Sequence, residues 1–333
     1  MDYKYLGNTG VQVSELCFGT MSFGGDADKS TSLAMYKKAR DRGINFFDCA
    51  NVYQKGLAEE YLGEFSSAER QELILTTKAY FPFGDGINSK GASRKHLFES
   101  LHASLKRLKT DYVDLFYIHR FDDNMDLADI MRTLDDMVSQ GKILYPAVSN
   151  FAAWQVVKAN SIASERGYAP IRCIQPMYNL AKRQAEVEIL PMAQSENIAV
   201  TSYSPLGGGL LTGKYGKNRK PETGRIVANK MYGRRYGDQI NFNIAEAFTE
   251  FAEKNNMNPV SLAVRWVAAH SAVTAPIIGA RNPGQLEDSL ASVDINMTEE
   301  MRNEISSFSP EPPPATDRNE ESTSFNYSAV LKK

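Results

Sequence analysis

Short runs rich in Val, Ile and Phe alternate with stretches of helical period eight times along this chain of 333 residues. That alternation constrains the fold more than any other feature. The strand-type runs are 14–21, 45–50, 72–80, 111–119, 143–149, 173–178, 199–204 and 276–279. The helical stretches between and after them are 31–42, 58–65, 94–108, 127–140, 153–165, 186–196, 244–255 and 285–291. Leu97, Leu101, Leu105 and Leu108 recur at intervals of four, four and three, which lines one face of a helix with apolar side chains and leaves its lysines and arginines to water. Runs such as 113–118 alternate little between apolar and polar, as strands covered on both faces do. Eight such βα units predict an α/β protein, a (β/α)8 barrel, over a doubly wound open sheet.

Three stretches stand outside the repeat. Residues 3–13, with Gly7-Asn8-Thr9-Gly10 at their centre, predict a hairpin that plugs the bottom of the barrel. Residues 207–241 are rich in Gly, Lys, Arg and Tyr with little apolar period, and a loop of that length is expected to be functional or disordered. Residues 310–333 open on Pro-Glu-Pro-Pro-Pro and predict an extended tail. The chain is therefore read as one domain, with barrel and accessory helices over 14–309.

Composition narrows the function. The net charge of −2 gives no electrostatic reason to expect nucleic acid or an anionic membrane as partner. No apolar run approaches the ~20 residues of a membrane span, and Met1-Asp2-Tyr3-Lys4-Tyr5 carries no signal-peptide pattern. Cys17, Cys49 and Cys173 are odd in number and far apart, which predicts buried thiols in a reduced cytoplasm rather than disulfides. The four histidines have no metal-ligand spacing, so no metal site is expected.

The chemistry is carried at strand ends. The run Asn45-Phe46-Phe47-Asp48 ends on an acid, with Tyr53 in the turn that follows; 73–78 ends on Lys78; 113–119 ends on His119. In a parallel barrel these positions share the face where active sites are built. Carbonyl reduction needs a hydride donor, which no side chain supplies, so a nicotinamide or flavin is implied. It also needs a proton donor beside the oxygen. Tyr53 suits that role if the Lys78 ammonium stabilises its phenolate and Asp48 holds Lys78 in place, while His119 donates a hydrogen bond to the carbonyl oxygen. Lys78 as a Schiff-base nucleophile is the lesser alternative. The chain has no Gly-x-Gly-x-x-Gly after an early strand. Gly207-Gly208-Gly209 follows the seventh strand instead, where barrels hold phosphates, with Lys214 as a candidate cation. Arg281, next to a helix start at Pro283, suits a 2′-phosphate and predicts NADPH over NADH. Phe23, Phe81, Phe83, Phe121 and Tyr232 are expected to line an aromatic substrate pocket, with Arg120 beside it to meet a hydroxyl or anion.

The segments Gly19-Thr20-Met21, 45–53, Thr76-Thr77-Lys78, Ile118-His119, Ser149-Asn150, 175–179, Ser204-Pro205-Leu206-Gly207 and Gly279-Ala280-Arg281 occur in the order seen in the aldo-keto reductase superfamily, and from about residue 6 to 308 the chain resembles it. It is closest to a bacterial branch with Ser-Pro-Leu-Gly-Gly-Gly-Leu-Leu after the seventh strand. The resemblance implies the same four catalytic roles and hydride delivery from the nicotinamide C4. It also implies that Gly19, Thr20 and Met21 line the nicotinamide ribose side. Asp48 adjoins the same ring, while Ser149, Asn150 and Gln175 bond the carboxamide and Tyr203 stacks on the ring. Ser204, Leu206 and Gly208 would hold the pyrophosphate, and Gly279, Arg281 and Gln285 would meet the adenosine half. Ser289 departs from the asparagine often found there. The expected reaction is NADPH-dependent reduction of an aldehyde or ketone, a sugar carbonyl among the candidates. The same site run as an alcohol or sugar dehydrogenase, or a nicotinamide-binding regulatory subunit, are the alternatives.

Overall fold

The computed structural model describes residues 1–324. The end of the predicted tail, residues 325–333, lies outside the described residues. Strands β1 (Tyr3–Tyr5) and β2 (Gln12–Ser14) form an antiparallel hairpin. Eight parallel strands follow: β3 (Cys17–Gly19), β4 (Phe46–Asp48), β5 (Ile74–Ala79), β6 (Val113–Ile118), β7 (Ile143–Ser149), β8 (Cys173–Gln175), β9 (Ala199–Val200) and β10 (Ile277–Ile278), in the order β10-β3-β4-β5-β6-β7-β8-β9. The two ends of that sheet meet. The Thr274 N–H donates to the Val200 carbonyl at 2.9 Å and the Ile277 N–H to the Ser202 carbonyl at 2.8 Å, which closes the barrel.

Around it run α1 (Lys29–Asp41), α2 (Leu57–Ser66), α3 (Arg94–Leu108), α4 (Leu127–Ser139), α5 (Ala153–Arg166), α6 (Ile189–Ser195), α7 (Arg225–Ala228), α8 (Lys230–Tyr236), α9 (Gln239–Lys254), α10 (Pro259–Ala268), α11 (Pro283–Leu290) and α12 (Glu299–Ser306). Their starts are chemically marked. Asp28 and Asp126 accept from backbone N–H groups in the first turns of α1 and α4, and Asn258 does so for α10 with Pro259 behind it. No described helix is long and apolar enough to cross a membrane.

Strand side chains alternate between two cores. Phe47, Leu75, Phe116 and Ile118 face the helices and pack with Leu97, Leu101, Ile130 and Leu134. Cys17, Phe46, Leu115, Tyr117, Ala147, Cys173 and Ala199 fill the barrel, joined by Leu6 and Val13 of the hairpin. The hairpin does plug the barrel. At its tip, a Cβ on Gly7 would stand 2.6 Å from the Asn197 carbonyl oxygen, and φ there is +56°, so both space and backbone conformation call for glycine.

Three departures from the sequence reading have clear causes. Residues 207–241 are not one irregular loop: a 3₁₀ turn (Gly207–Gly209), α7, α8 and the start of α9 lie within them. α10 was not expected because it is buried nearly all round and so shows no polar stripe. α12 was not expected because its only buried residue is Ile305.

Candidate active site

The register of the barrel brings Asp48, Lys78 and His119 to one end. Gly19 pairs with Asp48, Asp48 with Thr76, and Lys78 with Tyr117. His119 follows β6 and its N–H continues the ladder to the Ala79 carbonyl. Beyond β4 the chain stays pinned to β5 through the Cys49 and Asn51 N–H groups, which donate to the Thr76 and Lys78 carbonyls. It then turns sharply. Gln54, Lys55 and Gly56 take φ of 47°, 55° and 92°, and this left-handed run follows directly on Tyr53. Two consecutive non-glycine residues in that region are a local strain that the surrounding contacts must hold.

The four side chains converge. The Lys78 Nζ donates to Asp48 Oδ2 at 2.5 Å and to the Cys49 carbonyl at 2.7 Å. It lies 5.1 Å from the Tyr53 ring centroid, and the Tyr53 and His119 rings meet edge-on at 6.3 Å. Asp48 is held from the other side by the Thr76 hydroxyl and the Gln175 amide, each donating to Oδ1 at 3.0 Å. Below, Tyr117 is buried, its hydroxyl 3.0 Å from Thr201 Oγ1 and its ring 5.7 Å from the Lys78 Nζ. Lys78 thus sits between two aromatic rings and beside one carboxylate.

Electrostatics follows from burial. Burial disfavours the phenolate and pushes Tyr53 up to about 12, against the opposing pull of the Lys78 ammonium. The expectation that Lys78 lowers Tyr53 holds for its own contribution but not for the net. Burial works most strongly against the Lys78 ammonium, yet the charge and hydrogen bond of Asp48, with Tyr53 and Cys49 beside it, together raise Lys78 above its usual value. A lysine kept charged and doubly bonded is a poor Schiff-base nucleophile. His119 is brought down to about 3, by burial first and by Lys78 second, so its imidazole stays neutral. Its Nδ1 is buried with no partner in the structure.

The expected dinucleotide contacts separate into groups. Asn150, in the left-handed region at φ 57°, donates to the His119 carbonyl and Ser149 Oγ and accepts from the Tyr203 hydroxyl at 2.8 Å. Ser149 Oγ donates to the Gln175 carbonyl. Ser149, Asn150, Gln175 and Tyr203 are therefore one hydrogen-bonded cluster beside His119. The Thr20 hydroxyl is buried and donates to the Asp48 carbonyl, while Met21 is exposed. Gly19 is required by packing: its Cβ would stand 2.7 Å from Ile277 Cγ2. Gly207, Gly208 and Gly209 all have positive φ. A Cβ on Gly208 would stand 2.5 Å from the Tyr232 ring, whereas one on Gly209 would meet nothing within 4 Å. Ser204 sits at φ 60° with its carbonyl held by Asn179, and half-buried Leu206 accepts the Gly209 N–H. Gly279 adjoins the Gly19 carbonyl. The Gln285 side chain accepts the Arg281 N–H, and Arg281 itself is exposed. Ser289 is buried.

Several expected pocket residues are elsewhere. Phe23 does not line an opening: it is fully buried against Phe18 and Phe65. Tyr232 lies on Gly208, and Phe83 lies under Arg107. Phe121 stacks edge-on with Phe151. Lys214 is exposed beside Gly213, whose own neighbours are Pro259 and Thr249 of the outer helices. Phe81 does border the site, 4.9 Å from His119, and Arg120 is exposed next to it. Thr76 and Tyr117 were not singled out from sequence; period-two alternation on the strands that carry Lys78 and His119 marks both as inward-facing. Among the described residues no group of three or more His, Cys, Asp and Glu could hold a metal ion.

The sequence model of the Aldo/keto reductase family matches residues 15–310. The chain is 36% identical to the uncharacterized oxidoreductase YrpG of Bacillus subtilis over 94% of its own length and 97% of that protein's. It is 33% identical to a probable voltage-gated potassium channel subunit beta of Arabidopsis thaliana, over 89% of this chain and 92% of the relative. It is also 33% identical to norsolorinic acid reductase of Aspergillus flavus, over 91% of this chain and 79% of that one.

Proposed function

The chain belongs to the aldo/keto reductase family and is an oxidoreductase; from that premise we propose that it reduces an aldehyde or ketone to the alcohol with NADPH. The observation that carries the reading is the convergence of Tyr53, Lys78, Asp48 and His119 on one buried volume.

The residues present fit a nicotinamide dinucleotide. A glycine turn with an open side at Gly209 stands for the phosphates, and the Ser149, Asn150 and Gln175 amides and hydroxyl lie beside His119. Arg281 stands for the adenosine half. Bound there, the dinucleotide supplies the hydride. Tyr53 keeps its proton at neutral pH because burial holds its phenol near 12, and it gives that proton to the carbonyl oxygen as negative charge develops there. Lys78, fixed by Asp48 and the Cys49 carbonyl, stabilises the phenolate left behind. Neutral His119 offers one ring N–H to the same oxygen and orients it. Phe81 beside His119 favours an apolar or aromatic substituent on the carbonyl carbon. The three free, buried cysteines suit a reducing cytoplasm.

The high pKa gives the two directions different pH dependences. Reduction uses the protonated phenol, so its rate stays level between about pH 6 and 9, whereas oxidation of the alcohol uses the phenolate and rises with pH. The test is NADPH consumption across aliphatic aldehydes, aromatic aldehydes and sugars, with the pH profile of the best substrate in both directions. A level reduction profile supports the proposal; a rise with pH in the reductive direction counts against it. The relatives named as channel beta subunits favour a second reading, a dinucleotide-holding regulatory subunit. Tight NADPH binding with turnover no faster than buffer across the whole panel would favour that one.

A further inference from the structure

We propose that Asp26 is a specificity-determining residue for the dinucleotide, setting how far Arg281 prefers a 2′-phosphate to a 2′-hydroxyl. This rests on the reading of Arg281 as a contact of the adenosine half.

Asp26 Oδ2 forms an ion pair with Arg281, 2.9 Å from its Nε, and lies 3.9 Å from Arg225 Nη2 of α7. Two backbones fix the first pair. The turn after β3 is closed by the Gly24 N–H to the Ala27 carbonyl at 2.8 Å and by the Gly25 and Ala27 N–H groups to the Ser22 carbonyl. The Ser22 hydroxyl then donates to the Ala280 carbonyl at 2.6 Å, one residue before Arg281. On the far side the Gln285 side chain accepts the Arg281 N–H. The carboxylate and guanidinium are nevertheless 48% and 45% exposed, so a ligand can reach both.

An exposed ion pair of this kind contributes little to folding, but it changes what Arg281 offers. A guanidinium alone favours a dianionic phosphate. With a carboxylate on its Nε, the same phosphate approaches a negative charge as well as a positive one. A ribose 2′-hydroxyl meets no such repulsion and can donate to a carboxylate, the arrangement by which an acidic residue selects NADH in other dinucleotide sites. Asp26 therefore moderates the NADPH preference and keeps NADH usable. Because Arg225 belongs to the short helix α7 near the glycine turn, the same carboxylate also ties the 207–241 segment to this corner.

The test measures dissociation constants of NADPH, NADH and 2′,5′-ADP on the full chain by fluorescence quenching and calorimetry. Wild type, Asp26→Asn and Arg281→Leu are compared at low and high salt. Asp26→Asn should tighten NADPH and 2′,5′-ADP about fivefold at low salt, less at high salt, and leave NADH unchanged or weaker. An NADPH-to-NADH ratio unmoved in Asp26→Asn, while Arg281→Leu lowers it, overturns the role of Asp26 alone. A ratio unmoved in both variants overturns the placement of Arg281 as well.

Discussion

The two sides of the barrel mouth are built on different principles. The side formed by β4, β5 and β6 carries Asp48, Lys78 and His119 on strand ends, where ladder register sets positions and burial sets protonation. The side formed by the glycine turn, α7, α8 and the start of α11 carries exposed Arg281 and half-buried Arg225, both beside the single half-exposed carboxylate of Asp26. The first is rigid because moving any member leaves a buried charge or hydrogen bond unmatched. The second can adjust at little cost. The division suits the proposed reaction, in which a proton-transfer geometry is kept while a large dinucleotide enters and leaves.

Substitutions can break or sharpen that contrast. The largest effect is expected for Lys78→Met. It strands Asp48, which is 3% exposed, without its cation, and removing one partner of a buried pair costs about 3–5 kcal/mol. Chemical denaturation should show that loss together with loss of turnover; a fully stable variant would show that the rigid side is not held by this pair. Next comes Gly208→Val on the other side. Its φ of +68° and the Tyr232 ring 2.5 Å from the new Cβ predict a cost of about 1–3 kcal/mol, with weaker dinucleotide binding and an unchanged pH profile for what turnover remains. A changed profile would mean that the two sides are not separate.

Acid should act on the buried histidines. His119 and His270 are lowered to about 3 and about 4, each by burial first, against about 6.5 in an unfolded chain. The unfolded state then binds more protons below about pH 6.5, so stability present above that pH is lost as pH falls toward 4. The decline in Tm from pH 7.5 to 5 should be shallower in His270→Gln than in wild type; equal slopes would exclude His270 as a source. The smallest change is expected for Arg281→Leu, under about 1 kcal/mol in stability, and a larger loss would show that the adjustable side is structural after all.

What could be read from sequence follows the same division. Asp48, Lys78 and His119 were legible because each ends an apolar run, and a parallel barrel places run ends together. Tyr117 is hard to see because Val113–Ile118 is buried on both faces, so burial pattern does not distinguish its rings and only the two-residue offset from His119 marks Tyr117 as inward-facing. Phe23 was misplaced because an aromatic after a strand can turn either way, and the Ser22–Ala27 turn folds it beneath the loop. The 207–241 segment read as loop because α7 and α8 are too short for a period, and they are held by Tyr232 and Tyr236 packing on Gly207 and Gly208. The net rise in the Tyr53 pKa was not visible from neighbouring charges, since burial is a property of the fold.

The most direct test of the account is Tyr53→Phe, assayed for NADPH-dependent reduction of the best aldehyde and for NADPH fluorescence quenching in the same preparation. The account predicts that turnover falls by about 10²–10⁴-fold while quenching is retained. Turnover near the wild-type rate, or loss of quenching along with it, would contradict the assignment of this phenol as the proton donor.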